Sequence, residues 1–94
     1  MKDEKIEKLI EEINLRESKN YQKMEIEQLS GELRDAMSYE IEIFQKIDDL
    51  EKSGTSSDLA NYARIIAKNS TGRQIAEIQE IYLKKIDNKY LNTK

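Results

Sequence analysis

The residues best placed to do chemistry in this sequence are oxygen donors around one turn. Asp49-Leu50-Glu51-Lys52-Ser53-Gly54 offers oxygens at the first, third and fifth positions of a calcium-type loop, with glycine sixth. Such a loop closes with a bidentate glutamate at its twelfth position, which here is Ala60, and Lys52 adds an opposing charge. The same residues read more simply as a helix end, with a basic last residue and a glycine just beyond it. Carboxylates also come in pairs: Glu7 with Glu11, Glu25 with Glu27, Asp48 with Asp49. General acid–base catalysis needs one of a pair buried in a cleft so that its pKa moves. Each of these pairs falls on a polar helix face or at a helix end. With no histidine and no cysteine, the commonest general base and the commonest metal ligands are missing. No catalytic residue, metal ligand, cofactor or small-molecule substrate is expected.

Cations offer a second chemistry. Arg64 and Lys68 are spaced i,i+4, Arg73 follows, and Lys84, Lys85 and Lys89 could extend a basic stripe for nucleic acid. A helix-turn-helix over residues 60–80 would place Arg73 and Ala76 where apolar core residues belong. The net charge of −3 also opposes that reading, so nucleic acid is not the expected partner. The charge is uneven. Residues 1–53 carry 15 acidic and 9 basic side chains (−6), and residues 54–94 carry 4 and 7 (+3). Two halves of opposite charge suit either mutual packing or docking on a charged partner.

The elements that must position these groups are helices. Tyr21 to Lys52 contains no proline and one glycine, Gly31. Its apolar residues Ile26, Leu29, Leu33, Ala36, Ile43, Ile47 and Leu50 recur at spacings of 3 and 4, with Glu40 interrupting. Met37, Ile41 and Phe44 lie beside this seam and widen it. Such a helix would be about 48 Å long, so other segments must pack along it. Gly31, preceded by Ser30, is the expected place for a kink or a close helix approach.

A first helix is predicted near 3–17, with Ile6, Ile10 and Ile13 on one face and Leu9 beside them. The apolar phase breaks between Glu17 and Asn20, where Ser18 or Asn20 could cap a second helix; one bent helix over 3–52 is the competing arrangement. After the turn at 53–55, Thr55 and Asp58 have capping-box spacing. A helix over 56–68 presents Leu59, Tyr62, Ala63 and Ile66, with the small residues Ala60, Ala63 and Ala67 allowing close approach. Asn69-Ser70-Thr71-Gly72 reads as another turn, capped by Thr71, before a last helix over 72–89 carrying Ile75, Ile78, Tyr82 and Ile86. The tail from Leu91 is expected to fray. Leu33, Ile47 and Ile78 are expected in the core, and Glu12, Glu42 and Lys84 on outer faces.

Leu29-Ser30-Gly31-Glu32-Leu33-Arg34-Asp35 resembles the Ser-x-Glu-Leu-Asp core of the small helical-hairpin aspartyl-phosphate phosphatases of sporulating bacteria. Arg34 stands where that core has its aspartate, so no activity is carried over from the resemblance.

The fold class expected is all-α: an antiparallel bundle of three or four helices, in one domain over 1–94, with one long central helix. The charged N-terminus is no secretory signal and no apolar run spans a bilayer, which points to a cytoplasmic protein without membrane association. The function expected is non-enzymatic. A small bacterial or phage helical module of this kind would bind and neutralise or regulate another protein, as immunity proteins, antitoxins and inhibitors do, with Met37, Ile41 and Phe44 as the contacts. The alternative is a structural module whose apolar face is used in a coiled-coil-like homodimer.

Overall fold

The computed structural model describes residues 2–91. The regular structure among them is entirely helical. α1 spans Lys2–Asn14, a 3-10 turn Tyr21–Lys23, α2 Ile26–Lys52 and α3 Ser57–Ile86, which runs into a π-helical turn at Asp87–Leu91. The protein is all-α, with the long α2 in mid-chain and α3 longer still. The molecule is elongated, 61 × 19 × 17 Å. Of the tail expected to fray, residues 92–94 lie outside the described residues.

The turn between α2 and α3 is the one the residues specify. Gly54 has φ 111°, a left-handed conformation that glycine enters without a Cβ clash. The Thr55 amide donates to Leu50 O at 3.0 Å and the Gly54 amide to Glu51 O at 3.1 Å, the paired bonds of a Schellman end. The cap of α3 lies one residue later than expected: Ser56 Oγ, not Thr55, accepts from the Leu59 amide, and Thr55 is buried. Beyond the turn, Arg64 meets Asp48, Thr71 meets Glu40, and Ile78 shares a cluster with Leu29. Residues progressively farther from the turn are thus paired along both helices.

Two apolar clusters fill the interior. The cluster nearer the turn contains Ile6, Leu9 and Ile13 of α1, Ile43 and Ile47 of α2, and Ala60, Ala63 and Ala67 of α3. The three alanines are fully buried in this cluster, which joins all three helices. The second cluster gathers Tyr21, Leu29, Ala36, Ile78 and Ile81. Ile47 and Ile78 are fully buried, whereas Leu33 is only half-buried at the edge of the second cluster. Glu12, Glu42 and Lys84 lie outside, as their spacing requires.

Four further expectations are corrected. The turn at 69–72 does not form: α3 is continuous, and Thr71 is not a cap but a fully buried residue. It continues the inward row Ala60, Ala63, Ala67 at helical spacing, and packing outweighs the weak propensity of Asn69-Ser70-Thr71-Gly72. The chain from 3 to 52 is neither one bent helix nor two closely joined ones. α1 stops at Asn14, and α2 starts at Ile26, where Glu25 and Gln28 form a reciprocal capping box. Between them Tyr21 lies in the short 3-10 turn, points inward and is buried. Finally, α2 is unbroken at Gly31, and a Cβ there would meet nothing within 4 Å, so no close approach explains that glycine. Tyr62, expected inward, is 52% exposed.

Candidate functional site

The segment 15–25 runs along the second cluster as a strap, tied to α2 and α3 at several points. Gln74 holds it twice, accepting from Arg16 Nε at 3.1 Å and donating to Tyr21 Oη at 2.8 Å. Lys85 Nζ donates to the carbonyls of Gln22 (2.8 Å) and Met24 (2.6 Å), and Lys19 pairs with Glu32 at 3.0 Å. The Arg16 guanidinium stacks 3.7 Å over the Tyr39 ring. Burial raises the Tyr39 phenol pKa above its ordinary value, helped by the Glu12 charge and opposed by Arg16. Together α1 and the strap cover one long side of the α2–α3 pair.

Tyr39 marks the covered side of α2. Met37 and Ile41, two residues to either side of Tyr39, are turned about 200° from it, toward the opposite side. There Met37 is 41% exposed and Ile41 is 61% exposed. Phe44 is half-buried and packs against the first cluster, so it belongs partly to the core. Across the helix pair, Ile75 and Tyr82 of α3 are half-buried at the edge of the second cluster. The expected contact residues therefore share one side of α2, with Phe44 as its base and Met37 and Ile41 outermost.

The glutamate that interrupts the seam is accounted for on the same level. Thr71 Oγ1 lies 2.6 Å from Glu40 Oε2 and 2.8 Å from Ala67 O, so one hydroxyl proton serves two acceptors. A polar pair replaces an apolar layer between the two clusters. No spacing rule announces it: Glu40 stands out only as the interruption of the seam, and Thr71 reads as a turn cap.

The other groups that the sequence singles out have local roles or lie exposed. Asp49 to Gly54 is the last turn of α2 and its cap: Asp49 O accepts from the Ser53 amide and hydroxyl, and Glu51 is engaged by Arg64. Arg64 spans 2.7 Å to Asp48 and 2.6 Å to Glu51, which holds the Glu51 pKa below the ordinary carboxylate value. Glu7, Glu11, Glu25, Glu27 and Asp49 are exposed. Among the described residues no group of three acidic side chains is gathered as for a metal ion. The basic stripe is dispersed as well: Arg64 and Lys85 are used internally, and Lys84 pairs with Glu80. A polar cleft of about 320 Å³ opens between the strap and α3, lined by Asn14, Glu17, Asn69 and Arg73 among others.

The candidate site is thus a surface on an all-α protein. Compared with known proteins, the chain matches no family model, no curated protein and no solved structure. No helix among the described residues is long and apolar enough to cross a membrane.

Proposed function

We propose that this chain is a small, non-enzymatic cytoplasmic protein that binds and neutralises or regulates a partner protein. The contact is the uncovered side of α2 carrying Met37, Ile41 and Phe44. In this reading the helices act as one antiparallel bundle, with α1 and the strap closing one side and leaving the other for the partner. The observation that carries it is the exposure of Met37 and Ile41 in the middle of a long helix, away from fraying ends. Methionine adapts to irregular surfaces, and an aromatic base gives the contact area. The test is capture from the native host with wild-type and Ile41→Lys baits, read by mass spectrometry. The reading expects at least one protein retained by the wild type and lost by the variant. Identical captured sets would refute it. A homodimer is the alternative occupant, and a solution mass of two chains would favour it.

A further inference from the structure

The uncovered side of the α2–α3 pair carries unpaired positive charge around its apolar stripe, on a chain that is acidic as a whole. On α2, Arg34 lies three residues before Met37, and Lys52 lies eleven after Ile41; both spacings return to the same side of a helix. On α3, Lys68 lies four residues after Arg64, the residue that reaches across this side to α2. Arg34, Lys52 and Lys68 are exposed and make no ion pair or hydrogen bond among the described residues. The carboxylates on this side are already engaged: Asp48 and Glu51 by Arg64, and Glu40 by Thr71. Glu27, in the first turn of α2, is the exception and lies beyond the end of the stripe.

Building on the reading above, we propose that the occupant of this side is an acidic amphipathic helix of another protein. Its apolar residues would lie on Met37, Ile41 and Ile75, and its flanking carboxylates would meet Arg34, Lys52 and Lys68. The stripe from Arg34 to Lys52 is about 27 Å long, the length of a helix of roughly 18 residues. Length and charge together select this occupant. A second copy of the chain would bring the same three cations to the same rim and add repulsion, so a symmetric dimer through this side is disfavoured.

The probes are two synthetic 18-residue amphipathic helices with the same leucine stripe, one flanked by glutamates and the other by lysines. Binding is read by fluorescence anisotropy at low and at physiological salt. The glutamate peptide should bind about tenfold tighter than the lysine peptide, as expected of a few exposed charge pairs, with the gap narrowing as salt rises. Arg34→Glu/Lys68→Glu should reverse the preference, and Ile41→Lys or Met37→Lys should abolish binding, with circular dichroism verifying helix content in each. Charge-independent binding that Ile41→Lys still abolishes overturns the acidic helix while leaving the surface in place. Binding untouched by both Ile41→Lys and Met37→Lys overturns the surface itself. No binding of either peptide at millimolar concentration, or a dimer of the protein that Ile41→Lys dissolves, also overturns the proposal.

Discussion

Gln74 donates its side-chain amide to the buried phenol of Tyr21 at 2.8 Å, joining residues 53 positions apart. This bond and the Arg16 contact on the same side chain anchor the strap that separates the covered side of the α2–α3 pair from the open one.

Removing the ring should therefore be costly. Tyr21→Ala is expected to lose about 3–5 kcal/mol in urea unfolding, the usual range for a large buried aromatic. Tyr21→Phe should lose only about 0.5–1.5 kcal/mol, the value of one hydrogen bond. If Tyr21→Ala unfolds at the wild-type midpoint, the strap does not seal the second cluster.

The three glycines should divide by conformation. Gly31 and Gly72 sit inside helices with nothing within 4 Å of an added Cβ, so Gly31→Ala and Gly72→Ala should each stabilise by about 0.5–1 kcal/mol. Gly54, at φ 111°, should respond oppositely, with Gly54→Ala destabilising by about 1 kcal/mol. Thermal melts of the three variants provide the check, and a destabilising Gly72→Ala would argue for a break in α3.

Acid should reveal the ion pairs beside the turn. Hydrogen bonding from Arg64 holds the Glu51 pKa below its ordinary value, so this contribution is present above the unfolded carboxylate pKa. It is lost as pH falls through the depressed folded value. The stability difference between wild type and Arg64→Gln should thus be constant near neutrality and shrink through the acid range. A difference that grows on acidification would reverse the assignment.

Spacing made the interior of α1 and α2 legible, because isoleucine and leucine announce a buried face by themselves. It also made the 53–55 turn legible, since Gly54 has one conformation to fill. α3 was misread because its inward row passes through Ala67 and Thr71, small or polar residues that carry no hydropathy signal yet pack where bulk would not fit. The strap is not legible for a related reason. Tyr21 docks through a contact with Gln74, far along the chain, and helical spacing registers only neighbours three and four residues away. The exposed pair Met37 and Ile41 could be named as lying off the seam. Which side they faced depended on where the strap ran.

The account turns on Ile41 belonging to a surface and not to the core. The most direct measurement is the circular dichroism spectrum and unfolding curve of Ile41→Lys, beside Ile47→Lys as a buried control. Ile41 is 61% exposed and Ile47 is 0% exposed. The expected result is an unchanged helical spectrum for Ile41→Lys with stability within about 0.5 kcal/mol of wild type, and unfolding of Ile47→Lys. Loss of helix in Ile41→Lys would make that residue core and contradict the docking surface.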